Sequence, residues 1–367
     1  MKYTHAALTS ALEELVRQAE HVSIRYERMP VLAAHLGMLA SHEDIGVPPW
    51  ADPEHYADEF PAANTEDTLQ LFFVMIAQGY QHHVVDATGR SALWQLVANG
   101  QPREGVHAMY ACATRALQRG LDILDPQVLV SMTLSDVEEF YTDEATGLPN
   151  LSDLPGRLAR FQEIGGALVA GYHGRYANLL RQAGGYLFRA DGNGIVQRLV
   201  SDFPLSYGDW PFCKLAVTPA RMLHDRRRRE IPTSDSYLEL TEIRDPEHFD
   251  AGADAARPFA LLRLGVLEAS RELAGWLAGN RPMLELPGAY DELRAAAMLV
   301  CRELVRLSHV SSPEIGGELW RTGSSLCPRC RPGVGDAELE CPHKPVCVAY
   351  LGESRLFELG PMVGTGD

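Results

Sequence analysis

Four cysteines fall within 21 residues near the carboxy end: Cys327, Cys330, Cys341 and Cys347, spaced C-x2-C-x10-C-x5-C. A tight first pair can clamp one metal centre, and ten residues let the chain return with the second pair. Thiolates suit zinc and iron–sulfur clusters alike. Zinc modules usually repeat a tight pair on both sides, whereas here the second pair is spread to five. A 4Fe-4S cluster therefore ranks ahead of a structural zinc. Four thiolates leave no open coordination position, so either metal would be structural. His343 lies inside the second loop and is the alternative ligand. Cys112, Cys213 and Cys301 sit in apolar helical contexts and read as core residues.

Elsewhere single side chains, and no local motif, carry the chemistry. There is no phosphate-cradling P-loop, no dinucleotide glycine fingerprint and no Gly-x-Ser-x-Gly elbow, which disfavours ATPase, dehydrogenase and ordinary hydrolase readings. Asp254 precedes Pro258 and an apolar helix at a distance suited to an amino-terminal cap. Its loop is rich in Ala and Gly, so its carboxylate could equally face a cavity. Glu292 and Arg294 flank Leu293 near a helix start, either as ligand contacts or as a first-turn acid with a surface ion pair. Tyr80 follows an apolar helix and could stack on a base or fill the core. Lys214 and Arg221 are candidates for a phosphate against an ordinary solvated role. The run Arg226–Arg229 reads first as a solvated helix end that offsets the dipole. His82, His83 and Asp86 have metal-ligand side chains, but nothing nearby completes a set.

The elements that must position these groups are mostly helical. Leu8, Ala11, Leu12, Leu15, Val16 and Ala19 repeat at three- and four-residue steps, as do Leu293, Ala296, Ala297, Val300, Cys301, Leu304 and Leu307. The same periodicity predicts helices near 65–81, 103–119, 152–172, 191–203, 214–226 and 258–279. Thr65 with Glu66 and Asp67, and Ser152 with Asp153, mark helix starts, and Gly120 and Gly279 mark stops. Alternating strand patterns are scarce and no strand–turn–strand pair stands out. Pro48-Pro49, Pro61 and 245–257 should be loops.

The length, 367 residues, allows one large domain or two ordinary ones. Apolar residues make up 46% and charged ones 22%, a globular composition. Acids outnumber bases by 49 to 33, and the formal net charge of −16 repels polyanions, so broad nucleic-acid binding is disfavoured. The most apolar stretch, Leu69 to Ala77, is about half of a membrane span. An amino terminus without the apolar centre of a secretion signal, together with seven cysteines, points to the cytoplasm.

Read together, four segments resemble the queuosine-salvage family. GVHAMYACATRALQRGLDILDP, Gly105 to Pro126, is similar to that family's glycine–aromatic helix and the turn after it. LVSDFPLSYGDW, Leu199 to Trp210, is similar to its Phe-Pro loop. ADAARPFALLRLGVL, Ala253 to Leu267, resembles its Asp-Tyr-Arg helix, and GAYDELRAAA, Gly288 to Ala297, its Glu-x-Ile-Arg segment. They occur in the family's order and span roughly 65–310. The resemblance implies a helical domain related to helix-hairpin-helix DNA glycosylases. It also implies hydrolysis of the N-ribosidic bond of a 7-deazaguanine nucleoside 5′-phosphate. Asp254 would then act at the sugar, Glu292 braced by Arg294 at the base, and Lys214 or Arg221 at the phosphate, with Tyr80 and His107 lining the pocket.

The departures fall on the site. The family's Tyr-Arg after the aspartate is replaced by Ala255-Ala256, with Arg257 one place later, and its basic stretch reads Ala216 to Arg221. The family's Asp and Asn-Phe near the early apolar helix are replaced around Ile76, Gly79 and Tyr80. The cysteine tail is outside the family pattern, although its closing CPx4C resembles the end of the cluster motif of iron–sulfur DNA glycosylases. The expectation is a mostly α protein: a helical segment at 1–64, a single glycosylase-like domain at 65–320 and a metal-binding tail at 321–367. Its partner would be a small nucleoside or nucleotide. The alternatives are a catalytically silent binding homologue and, against the net charge, a DNA glycosylase.

Overall fold

A computed structural model of the chain describes residues 3–42, 65–85, 91–228, 240, 242–250, 254–279, 281–327, 330 and 341–351. The described residues are mostly helical, with short two-stranded ribbons. They divide into two compact units, one drawn from 1–5, 49–84 and 92–248, the other from 6–48, 85–91 and 249–367. The units interleave along the chain, in contrast to the three consecutive segments read from the sequence. No helix among the described residues is long and apolar enough to cross a membrane.

From the amino end, α1 (His5–Arg17) buries Leu8 and Leu12. The short strand β1 (Val22–Ile24) leads to α2 (Met29–His42). The first-unit core begins at α3 (Thr65–Ile76), whose first-turn acids Glu66 and Asp67 pair with Arg181 and Arg175 at 2.6 and 3.1 Å. α3 is shorter than the predicted 65–81. Its last carbonyls are taken by side chains instead of further helix, as the site description shows.

β2 (Gln95–Ala98) and β3 (Gln101–Glu104) form an antiparallel hairpin pairing Gln95 with Glu104 and Ala98 with Gln101. Its turn is Asn99-Gly100, at φ 52° and 71°. Two successive left-handed residues are what a tight hairpin needs, and Asn-Gly is its usual chemistry. The expectation that no hairpin exists is thus overturned by a dipeptide present in the sequence.

The hairpin feeds α4 (Gly105–Gln118), followed by α5 (Pro126–Ser131), α6 (Leu134–Phe140) and the long α7 (Leu154–Tyr172). Asp153 caps α7 by accepting from the Gly156 amide at 3.2 Å, as the sequence predicts. α5 and α7 cross at Gly165, where an added Cβ would lie 2.5 Å from the Pro126 carbonyl oxygen. Next come α8 (Tyr176–Ala183), α9 (Ile195–Asp202), α10 (Pro204–Tyr207) and α11 (Lys214–Arg228). Phe73 stacks on Tyr176 with ring centroids 4.4 Å apart and on Tyr207 at 5.3 Å.

In the second unit α12 (Ala256–Arg263) stops where Gly265 turns left-handed at φ 75°. The chain then enters β4 (Leu267–Ala269), which pairs antiparallel with β1, and continues into α13 (Arg271–Ala278). The single predicted helix over 258–279 is therefore two helices separated by a glycine turn and a strand. α14 (Ala289–Ser308) carries the buried stripe Leu293, Ala296, Ala297, Val300, Cys301 and Leu304, as its periodicity predicts. α15 (Ser312–Arg321) runs into a π-helical turn, Thr322–Leu326. Cys112, Cys213 and Cys301 are buried thiols.

Candidate functional site

Asp254 sits just before α12, in the second unit, and is buried. Its Oδ1 accepts from the Arg257 amide at 3.0 Å, while Oδ2 pairs with the Arg257 guanidinium. The Arg257 Nε donates onward to the Gly316 carbonyl at 2.8 Å. Both readings of Asp254 meet here. It caps the helix start, and it is also a buried carboxylate in an ion pair. The arginine displaced by one position from the family pattern is the one that pairs with it.

Glu292 is corrected. It lies in the first turn of α14, but its Oε1 accepts from the Glu20 amide at 3.1 Å and its Oε2 from His21 and Val22 at 2.7 and 3.2 Å. A carboxylate on three backbone amides clasps the chain entering β1, so the expected reach toward a base is taken up by structure. Arg294, also buried, has Nη1 3.9 Å from Asp291 Oδ1 and its guanidinium 5.4 Å from the centre of the Tyr290 ring.

Tyr80 is corrected as well. It is buried in the first unit and donates its hydroxyl to Asp153 Oδ2 at 3.0 Å. The guanidinium carbons of Arg157 and Arg160 lie 4.4 and 3.9 Å from the ring centre. A ring engaged by two cations is a core element and no platform for a base.

Lys214 opens α11, and its amide donates to Asp209 Oδ2 at 2.9 Å. Arg221 is seven residues on, and thus on the same face of the helix. Arg221 is buried, with Nε 3.5 Å from the Asp225 carboxylate, so it is no solvated surface arginine. Of the arginine run at the end of this helix, Arg227 is half-buried and Arg229 lies outside the described residues. His107 is half-buried in the first turn of α4.

His82 joins this group. Its Nε2 is buried and makes no hydrogen bond. Burial pushes the imidazole pKa down to about 3, and the charges of Arg157 and Lys214 push the same way. At neutral pH the ring is therefore uncharged. Asp86, once grouped with it, lies outside the described residues.

Sequence reasoning missed the buried arginines. Arg157 is 0% exposed and donates to the carbonyls of Ser152, Gln78 and Tyr80 at 3.1, 2.9 and 2.7 Å. Arg160 donates to Ala77 and Ser206 at 3.2 and 3.1 Å. Together they hold the turn after α3 and so end that helix. Their three-residue spacing on α7 is visible in the sequence, but their carbonyl partners are not.

The four clustered cysteines line one small cavity with Arg263, Thr322, Lys344 and Tyr350. His343 hydrogen-bonds through Nε2 to Glu318 Oε1 at 2.9 Å, which fixes its ring in the fold. Glu318 is fully buried and also accepts from Arg321 at 3.0 and 2.6 Å. Burial alone would raise its pKa, but the His343 and Arg321 hydrogen bonds outweigh that and hold it down to about 2. Among the described residues, no three His, Cys, Asp or Glu side chains are drawn together tightly enough to hold a single ion.

A separate cavity of about 680 Å³ in the first unit is lined by Asp67, Asp122, Asp125, His173 and Arg175. Asp125 caps α5, and Asp67 pairs with Arg175. Three aspartates would repel a phosphate ester.

The family described as "Queuosine salvage protein" matches residues 60–315. The chain belongs to that family. The queuosine-salvage match contains Asp254, Arg257, Glu292, Lys214 and Arg221, and it ends before the cysteine tail. The chain is similar to a "Queuosine 5'-phosphate N-glycosylase/hydrolase" of Nematostella vectensis, 22% identical over 72% of this chain and 76% of that protein. Proteins of the same name from Sphaerobacter thermophilus and Mus musculus are 27% and 25% identical, over 58% and 56% of this chain. The chain spans 63% and 59% of those two relatives' own lengths.

Proposed function

We propose that this chain hydrolyses the N-ribosidic bond of a queuosine-like 7-deazaguanine nucleoside 5′-phosphate. The observation that carries the reading is the Asp254–Arg257 ion pair, a buried carboxylate within the family-matched region. In such hydrolysis the C1′–N bond breaks, its electron pair leaves with the base, and the base takes up a proton. Water adds its oxygen at C1′ and gives up a proton. The sugar passes through oxocarbenium character, which a carboxylate beneath the ring stabilises. Asp254 fills that role, with Arg257 as the positioning residue. The buried Arg221 and half-buried Lys214, on one face of α11, are the groups proposed for the 5′-phosphate.

The test uses Asp254→Asn. Asparagine caps a helix as well as aspartate but lacks the charge, so folding should be kept while base release from queuosine 5′-phosphate falls by at least about 100-fold. Turnover at the wild-type rate in the folded variant would refute the catalytic role. One observation favours a second reading, a binding homologue that does not turn over: both Asp254 oxygens are engaged by Arg257. Tight binding of queuosine 5′-phosphate by the wild-type protein, with no free base formed, would establish that reading instead.

A further inference from the structure

We propose that Cys327, Cys330, Cys341 and Cys347 hold a structural iron–sulfur cluster of the four-iron type that pins the tail onto α12 and the turn after α15. All four thiols face one cavity, and none is in a disulfide. The cavity leaves about 10 Å³ in which the centre of a water-sized sphere can move, room for roughly one such sphere. That space decides between the metals. In a tetrahedral zinc site the sulfurs stand about 2.3 Å from the ion and so about 3.8 Å from one another, in mutual contact around the ion alone. Here the sulfurs frame a space instead of closing on a point, in keeping with the absence of a tight ion-sized ligand group among the described residues. A multi-iron core with its own sulfides fills such a frame.

The surroundings suit a cluster's sulfurs. The amide of His343 is directed at the Cys341 sulfur, and those of Ala349 and Tyr350 at the Cys347 sulfur. Amide hydrogen bonds to thiolate sulfur and nearby positive charge are the protein's usual means of stabilising such a centre. The positive charge comes from Arg263, which acts on Cys327 and Cys347 and donates to the Cys330 carbonyl at 3.0 Å. As bare thiols the buried sulfurs resist ionisation, Cys327 being pushed up to about 12 by burial. Binding the metal would therefore release protons.

The same residues fasten the tail. Ala349 donates its amide to the Arg263 carbonyl at 3.1 Å, and Arg28 donates to the Val346 carbonyl at 3.1 Å. Val348 packs so closely on Gly265 that an added Cβ would lie 2.7 Å from its methyl carbons. α12 is the helix whose start carries Asp254, so the cluster would brace the element that presents the proposed catalytic carboxylate.

The full chain, purified without oxygen, should be brown and carry about four irons and about four acid-labile sulfides per molecule. Cys341→Ser and Cys347→Ser should each lose most of that iron, while Cys112→Ala retains it. About one zinc per chain without iron, or neither metal above trace amounts, would overturn the proposal. The wild-type stoichiometry decides the question even if the serine variants fail to fold. Because metal content is read without any turnover, failure here would leave the glycosidase reading standing, and an inactive enzyme would leave the cluster standing.

Discussion

Carboxylates of similar standing in the sequence take different roles once their neighbours are known. Glu292 and Asp254 both precede or open apolar helices, yet Glu292 spends its oxygens on three amides of residues 20–22, whereas Asp254 pairs with an arginine. Truncating Glu292 leaves buried donors unsatisfied. Glu292→Ala should therefore lower unfolding free energy by about 3 kcal/mol, read from urea denaturation. Substrate KM of the fraction that stays folded should not move. A markedly raised KM in folded Glu292→Ala protein would return this residue to the ligand. Tyr80 follows the same logic: its position suggested a base platform, but Asp153, Arg157 and Arg160 occupy it.

Among the elements, boundaries are set by close approaches that periodicity cannot register. α7 lies on α5 because Gly165 has no side chain, with the Pro126 carbonyl and the Val130 amide 2.5 and 2.8 Å from where a Cβ would stand. Gly165→Ala forces the helices apart and should cost about 2 kcal/mol, seen as a lower thermal midpoint with unchanged helical content at low temperature. An unaffected midpoint would mean that the crossing is loose. The ends of α3 and α12 were misjudged for related reasons. Arg157 and Arg160 bind the carbonyls that would have continued α3, and Gly265 turns the chain from α12 into a strand that pairs with residues far away in sequence.

For the molecule as a whole, the titration of His82 should be visible in stability. Its pKa is about 3 in the native state against 6.5 in the unfolded chain. A group with a depressed native pKa contributes fully above the unfolded value. As pH falls from about 6.5 toward 3, the unfolded chain takes up the proton first and stability declines, by up to about 1.4 kcal/mol per pH unit. His82→Gln should flatten this stretch of the curve in denaturant titrations at successive pH values. An identical slope in the variant would assign the acid sensitivity to other groups. Iron loss belongs to the same scale, since detaching the tail should lower the thermal midpoint of the unit that carries α12.

The helical class, the buried stripe of α14, the Asp153 cap and the four-cysteine spacing could be read directly from the residues, because each depends on local periodicity or on neighbours within a few positions. The family resemblance over the middle of the chain was legible in the order of its segments. The Asn99-Gly100 hairpin was equally present but was passed over in a chain that otherwise reads as helix. Tertiary structure alone decided which charges are buried and with whom: Arg157 on distant carbonyls, Glu292 on residues 20–22, Arg257 on Asp254, and four thiols around one cavity. Those pairings arise when segments far apart in sequence exclude water together. A buried charge must then find whatever partner the packing supplies.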